Sequence, residues 1–482
     1  MSSYKVAEYA GPTEIAHEGV NPLIEDINAP YAAGDFAWIM TCTGLVLLMV
    51  PGVGFFYSGL ARRKSALALI WLSLMSIAVV GFQWFFWGYS LTFTHNPDAG
   101  PFIGDLSNFG LMKVLGQPSV GSGKVPDVLF CLYQGMFAAI TPALAIGAAA
   151  DRGRMLPAIV FIFIWATIVY DPIAYWTWNP NGWSLKMGGL DFAGGTPVHI
   201  SSGAAALAYS LMLGKRTGYN KVNGLPYRPH NVTHVVLGTV FLWVGWFGFN
   251  GGSALAANTR AVMACLVTQI SACVGGFTWC LLDYRLEKKW STVGFCSGVI
   301  AGLVTITPAA GYVPPWAAVV FGVCGGVICN FATKLKFVIG IDEPLDVFAE
   351  HGVGGIVGNL LTGIFAADYI AALDGSAVGG SGIDGGWVNG NFVQLGYQLA
   401  DSVAGFAYSF VMTCVICFVL NLIPGLSLRV SPEVEEIGLD DAELGEFAYD
   451  YVELSRHVND VLIGGSAAAS VKGSNEVATE KA

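Results

Sequence analysis

Charged side chains are scarce in this sequence. Asp, Glu, Lys and Arg make up only 12% of its 482 residues, whereas 54% are hydrophobic. A soluble protein has about 25% charged residues. The composition therefore excludes an ordinary soluble domain and predicts a chain that lies in a lipid bilayer.

The sequence also lacks the patterns that cofactor or metal chemistry requires. Its ten cysteines lie in or beside apolar runs, and no C-x-x-C pair has a matching partner pair. We interpret them as small buried hydrophobic residues. Paired carboxylates and cofactor motifs are also missing, so we expect no cofactor, no metal and no enzymatic activity, and the class of membrane enzymes or redox proteins is disfavoured.

Apolar runs of the length that crosses a bilayer, about 20 residues, recur along most of the chain. The first 35 residues lack the basic and apolar segments of a cleaved signal peptide, so we expect the first run to direct insertion. We predict an all-α membrane protein with eleven transmembrane helices, at residues 36–60, 65–93, 127–150, 155–178, 195–214, 232–250, 260–283, 291–309, 315–334, 350–367 and 397–424.

Lysine and arginine are divided unevenly between the two sides of this predicted bundle. Fourteen lie in the loops after the odd-numbered spans one to nine, whereas the other side has only five. The positive-inside rule places the richer side in the cytoplasm, with the N-terminus outside and the C-terminus inside. The sequon at Asn231 then lies in the cytoplasm, where it would not be glycosylated.

The chain changes character after residue 424. Twelve acids and four bases give residues 425–482 a formal charge of −8. We predict three parts: an extracellular segment (1–35), an eleven-helix transport domain (36–424) and an acidic cytoplasmic tail (425–482). The tail is either a solvated, partly disordered segment or a regulatory one.

An odd number of spans favours two five-helix repeats of inverted topology plus one extra helix. Span one ends in GVGFFYSGL and span six in GWFGFNGGS, and both are clusters of glycine and aromatic residues. Spans five and ten both begin near a histidine, in VHISSGAAA and EHGVGGIVG. The repeat would therefore bring one histidine from each half to a shared central site.

Two of the seven histidines, His199 and His351, lie in these small-residue spans. Ionisable groups inside a membrane are costly and usually functional. Two neutral imidazoles can bond each other and still present polar edges to a pore. A metal site is the competing interpretation, but no Cys or acid has suitable spacing for further ligands.

Several longer segments resemble the Amt/MEP/Rh ammonium transporter family, in family order. They are YQGMFAAIT (133–141), YDPIAYWTW (170–178), DFAGGTPVHISSG (191–203), GWFGFNGGSA (245–254), ITPAAGYV (306–313) and DVFAEHGVGGIVGNLLTGIFA (346–366). The resemblance covers roughly residues 33 to 450, and the likeness is strongest to the fungal permeases. It implies a homotrimer in the plasma membrane, with one pore in each protomer.

The resemblance also implies roles for individual residues. Trp178, Ser253 and Tyr133 would recruit ammonium at an extracellular vestibule, where an indole face attracts a cation. Phe137 and Phe249 would close the route beneath it, above the pore histidines His199 and His351. Asp191 would accept backbone N–H bonds at the start of span five and add negative potential, and Gln134 would line the same region.

These roles imply ammonium and methylammonium as substrates for nitrogen uptake. Ammonium would give up a proton and ammonia would cross the dry pore, with the proton moving separately or not at all. An ammonium sensor with little flux and an Rh-type gas channel are the alternatives. A kinase acting on the tail, with Ser455 as one target, and the lipid bilayer are the expected partners, and we expect no nucleic acid.

Overall fold

The computed structural model describes residues 26–219, 228–376 and 382–449, together with the backbone of a two-stranded antiparallel ladder, Ile15–Ala16 and Gly19–Val20. Nearly all of the described chain is helical. The principal helices are α1 (Ala33–Leu60), α2 (Arg63–Phe93), α3 (Asp127–Ala149), α4 (residues 155–178), α5 (residues 195–213), α6 (Val232–Gly252), α7 (Thr259–Glu287), α8 (Thr292–Ala309), α9 (Pro315–Ile339), α10 (Phe348–Phe365) and α11 (Gln394–Leu422).

Short helical segments lie in the connections and after α11. They are Phe109–Leu111, Trp183–Met187, Asp368–Ala371, Ala372–Asp374, Trp387–Asn389, Pro432–Ile437 and Asp440–Leu444.

One of these helices lies at each predicted span, in the same order. The helices are not all equally apolar. Within the described residues, nine helices are long and apolar enough to cross a membrane, and α10 gives a tenth if it is counted with Asp368–Asp374, from which it is bent by 102°. Helix α5 is not among them because His199 and several Ser and Gly residues lower its hydropathy. The structure therefore supports a multi-span membrane protein.

The outer surface of the bundle is apolar. Large hydrophobic side chains stand exposed on several helices, among them Phe82, Val262, Phe277 and Leu422. Exposed apolar side chains on helices whose backbone bonds are satisfied internally are what a lipid environment requires. The buried interior is instead rich in alanine and glycine.

Glycines set two of the close helix crossings of the interior. A Cβ on Gly238 of α6 would lie 2.4 Å from the backbone nitrogen of Phe56 in α1. A Cβ on Gly203 of α5 would lie 2.2 Å from the backbone nitrogen of Gly352 in α10. Since any larger residue would force the backbones apart, these glycines allow the close helix packing that stabilises bundles in lipid.

Residues 425–449 pack across one end of the bundle. The backbone of Val430 donates to the carbonyl of Arg152, and that of Arg154 donates to the carbonyl of Leu428. We call this end the tail side and the opposite end the far side. Helices α1, α3 and α5 end at the tail side, whereas α2 and α10 begin there.

The ten cysteines are all free thiols. Five are buried, as the sequence predicts, but Cys273 is exposed and four others are half-buried. The expectation of uniform burial is therefore wrong, because several cysteines lie on the outer, apolar face of their helices. A thiol there is still a small hydrophobic group facing lipid.

Candidate functional site

The two histidines singled out from the sequence meet at the centre of the bundle. The Nδ1 atoms of His199 and His351 are 3.1 Å apart, and the ring centroids are 5.2 Å apart. Both side chains are buried, with 1% and 4% of their surface exposed. The glycine crossing of α5 and α10 lies within four residues of each ring and brings them into contact.

Each histidine lies in a widened, π-helical turn. His199 lies in Gly195–Ile200 at the start of α5, and His351 lies in Phe348–Val353 at the start of α10. Such turns interrupt the regular backbone bonding of a helix and recur at functional sites. The two halves of the molecule thus present their histidines in the same local structure.

The bond between two Nδ1 atoms fixes the chemistry of the pair. In a bond between neutral rings one Nδ1 must carry a proton and the other must not, so the two imidazoles are opposite tautomers. One Nε2 is then an acceptor and the other is a donor. The Nε2 of His199 has no hydrogen-bond partner among the described residues although it is buried, so it remains available to a small polar molecule.

A column of aromatic rings leads from the far side to the histidines. The centroids of Phe137 and Phe249 are 4.3 Å apart, and Phe137 meets Trp178 edge to face at 6.0 Å. Below them, His199 stacks on Phe249 at 5.9 Å and on Trp246 at 5.5 Å. Ring contacts this close leave no passage for a hydrated ion in this conformation.

Asp191 holds the start of α5 and the indole together. Its carboxylate accepts the backbone N–H groups of Gly194, Gly195 and Thr196 at 2.7–2.8 Å. Its backbone carbonyl accepts the indole N–H of Trp178 at 3.2 Å. The aspartate therefore positions both the widened turn of His199 and the ring at the far end of the column.

Tyr133 and Ser253 lie beside the ring pair. The buried hydroxyl of Tyr133 donates towards the carbonyls of Gly248 and Phe249, 2.9 and 3.0 Å away, and lies 3.4 Å from the Ser253 Oγ. Ser253 is half-buried, and its hydroxyl donates to the Phe249 carbonyl at 2.8 Å. With both protons donated to carbonyls, these two hydroxyl oxygens remain acceptors, the character that a cation prefers.

Gln134 is placed differently from the other predicted residues. It follows Tyr133 on α3 and is buried, with its Oε1 unpaired among the described residues. Within that part of the chain no hydrogen bond joins it to the aromatic column or to Ser253. The structure thus brings together eight of the nine predicted residues and leaves Gln134 beside them.

A cavity that sequence reasoning missed lies on the tail side of the histidines. It has a volume of about 10 Å³, and Tyr57, Glu350 and His351 line it among apolar residues. Glu350 is 3% exposed. An acid directly before His351 in a predicted span was the available signal, because an intramembrane carboxylate is itself a candidate functional group.

The tail is joined to the bundle by ion pairs and hydrogen bonds of two buried carboxylates. Glu435, 1% exposed, lies 3.0 Å from Arg429 and 3.5 Å from Arg62, and it accepts the backbone N–H of Thr217 at 2.8 Å. Asp440 accepts the N–H groups at the start of α2 at 2.8–3.0 Å. The tail therefore ties together loops that lie far apart in sequence.

A second buried network supports this end of the bundle. Arg216 lies 2.8 Å from Asp151 and 2.7 Å from Asp342, and Arg152 donates to the Asp342 carbonyl at 2.7 Å. Burial alone would raise the pKa of Asp342, but Arg216 and Arg152 more than offset it and lower that pKa. The network therefore joins the loops of the tail side through paired buried charges.

The described residues contain no cluster of three or more His, Cys, Asp or Glu side chains arranged to hold a metal ion. The histidine pair therefore has no further ligands of this kind within the described part of the chain.

Comparison with known proteins identifies relatives over nearly the whole chain. A family model described as the Ammonium Transporter Family matches residues 37–449. Ammonium transporter 1 of Schizosaccharomyces pombe is 60% identical over 98% of this chain and 93% of its own length. Ammonium transporter MEP2 of Saccharomyces cerevisiae is 52% identical over 90% of this chain and 86% of its own length.

Solved structures of similar proteins point to the same family. The crystal structure of Candida albicans Mep2 matches with a TM-score of 0.83 and 52% identity, covering 88% of this chain and 92% of that one. The family resemblance read from the sequence is confirmed, as is the expectation of a membrane transport protein rather than an enzyme. The chain belongs to the ammonium transporter family.

Proposed function

We propose that this chain is an ammonium permease of the plasma membrane that strips ammonium of a proton and conducts ammonia past His199 and His351. The observation that carries the proposal is the buried pair of bonded imidazoles beneath a closed pair of phenyl rings. The names of the relatives supply the substrate. The comparison supports nitrogen uptake as the biological role.

The column would act in three steps. Trp178, Tyr133 and Ser253 form a vestibule in which an indole face and two acceptor oxygens favour a cation. Phe137 and Phe249 then exclude water, which penalises every intact ion. Ammonia passes as a small neutral molecule because it can donate to the bare Nε2 and accept from the protonated one.

Selectivity follows from this order of events. Potassium and ammonium have the same charge and similar size, so an apolar passage alone cannot separate them. Only ammonium can lose its charge by deprotonation. We infer that the proton is carried separately along the histidine pair, which makes net transport electrogenic.

The architecture that we propose has eleven spans, two inverted five-helix repeats and a homotrimer with a pore in each protomer. The paired crossings of α1 with α6 and of α5 with α10 support the repeat, as do the matching turns of His199 and His351. The arginines of the tail side support a cytoplasmic C-terminus and an extracellular N-terminus. Residues 1–35, 36–424 and 425–482 form the three parts.

We also propose that the docked tail regulates transport. Its contacts with α2 and with the loops at the tail side support this role. Ser455, the candidate target of a kinase, lies outside the described residues. A phosphate near the acidic tail would add like charge and weaken docking.

Methylammonium uptake tests the transport proposal in a strain that lacks its own ammonium transporters. The wild-type chain should restore uptake, whereas His199→Ala and His351→Ala should reach the membrane and lose or alter it. Wild-type uptake by both variants would reduce the histidines to packing residues. Binding of ammonium without flux by the wild-type chain would favour the sensor.

A further inference from the structure

Glu350 is a buried acid directly before His351 in the chain. It precedes His351 in the widened turn of α10 and therefore lies one residue closer to the tail side. Both side chains line the cavity of about 10 Å³, together with Tyr57. About 10–15 Å³ is the space that one water needs, and a buried water needs two to four polar partners. The cavity volume lies at the lower end of this range, and three residues with polar groups line it.

The tyrosine on the other wall of the cavity leaves its oxygen as an acceptor. The hydroxyl of Tyr57 donates to the carbonyl of Leu144 at 2.9 Å. A water in the cavity can therefore donate to Tyr57 or Glu350 and meet an imidazole nitrogen of His351. A single water would complete a hydrogen-bonded path between the imidazole and the carboxylate.

Other ionisable groups continue from Glu350 toward the tail side. Those within electrostatic reach of the carboxylate are Tyr57, Cys296, Cys329, Lys336, Glu343 and Asp346. Glu343 lies in the connection before α10, outside the helices. Burial, with the nearby charge of Asp346, raises the pKa of Glu343. A carboxylate of raised pKa readily accepts a proton and releases it near neutral pH.

We propose that Glu350 accepts the proton from the histidine pair and passes it toward Glu343 at the tail side. The inference rests on the proposed function, since it supplies the exit for the proton that ammonium gives up. An imidazolium loses its proton to the cavity water as the water gives one to the carboxylate, and both imidazoles return to the neutral state. The carboxylic acid of Glu350 then loses its proton toward Glu343. One ammonia and one proton cross in each cycle.

A purely structural role is the alternative. The carboxylate lies within reach of the Ser297 hydroxyl of α8, and this contact alone could explain a polar residue here. Glutamine has the same shape and can also accept from the serine hydroxyl, but it cannot take up a proton. Glu350→Gln therefore separates the two roles.

The test measures charge and ammonia together. Full-length protein in liposomes receives a jump in ammonium, while current and lumenal pH are recorded. Wild type should give sustained current with little alkalinisation of the lumen. Glu350→Gln should cut the current by about tenfold or more, since a positioned proton-transfer group typically contributes about 10²–10⁴-fold. Because ammonia still enters alone, the variant lumen should become alkaline.

Two further variants complete the design. Glu350→Asp keeps an acid and should restore current with an altered pH profile. Asp283→Asn is the matched control, because it removes a carboxylate near the tail-side end of α7 that bonds Asn330 at 3.2 Å and does not line the cavity. Its current should equal that of wild type.

Wild-type current and pH profile in Glu350→Gln would overturn the inference and leave transport intact. If Glu350→Gln does not fold into the membrane, Glu350→Asp decides. A current and a pH profile in Glu350→Asp that equal those of wild type would count against the relay. Wild-type ammonia entry without current would also overturn it. Wild type with neither current nor ammonia entry would instead contradict the proposed function.

Discussion

Replacing Gly203 by alanine should disable the histidine pair without touching either ring. The new Cβ would lie 2.2 Å from the backbone nitrogen of Gly352, whereas non-bonded atoms settle at about 3.5–4.0 Å. Helices α5 and α10 must then separate by more than about 1 Å. The 3.1 Å bond between His199 and His351 would lengthen beyond hydrogen-bonding range, which ends near 3.2 Å.

These distances indicate how much stability and transport rate the substitution should cost. Overpacking a tight interior costs about 1–3 kcal/mol, and the lost bond between the rings adds about 0.5–1.5 kcal/mol. A displacement of about 1 Å at a reacting centre can cost about 10²-fold in rate. We expect Gly203→Ala to fold with reduced thermal stability and to lose nearly all methylammonium uptake.

Gly44→Ala is the matched control, because it also adds one methyl group to a long helix but has no atom within 4 Å of the new Cβ. Uptake per protein molecule at the membrane and the melting temperature by fluorescence-detected size exclusion should be measured for both variants. Full uptake by Gly203→Ala would refute the argument that this crossing positions the rings. Equal losses in both variants would point to a general effect of alanine in helices.

Two further predictions concern the ends of the bundle. Glu435→Gln should weaken docking of the tail by about 1–3 kcal/mol, the cost of leaving buried partners unsatisfied. Proteolysis of residues 428–449 should then be faster, whereas the exposed control Glu433→Gln should be cleaved like wild type. Equal cleavage of the two variants would contradict the ion-pair account. At the far side, burial opposes ionisation of Asp105, but bonds from Thr94, Asn96 and Ser107 outweigh it and lower its pKa to about 2. Since the unfolded value is about 3.9, this loop should keep the stabilisation above pH 4 and lose it as the pH falls through about 2. Hydrogen exchange of residues 94–107 would show this, and protection lost already at pH 5 would contradict it.

The helices could be predicted because lipid demands long apolar runs, a local property of the sequence. The predicted start of span two, residue 65, lies two residues from Arg63, and its predicted end coincides with Phe93. Span five was predicted as one of the apolar runs, and a helix does occupy it, although its hydropathy is too low to mark it as a span. The apolar runs therefore predict most of the helices.

The site was predictable where the family resemblance supplied residues, and less so where contacts join distant segments. The partner of Glu435 is more than 370 residues away at Arg62, and no local pattern pairs them. Glu350 was overlooked because its importance comes from a cavity that residues of α1, α3, α6, α8 and α10 line together. The engagement of the Tyr133 hydroxyl by backbone carbonyls likewise depends on the packing of α3 against α6.

The most direct test of the mechanism compares ammonium with potassium in the same liposomes. If the barrier is the loss of a proton, wild-type protein should carry ammonium and methylammonium and should neither pass potassium nor be blocked by it. Replacing His199 and His351 together with small polar residues should admit water and let potassium through. Potassium flux through the wild-type protein at the rate of ammonium would contradict the mechanism and identify the pathway as a hydrated cation channel.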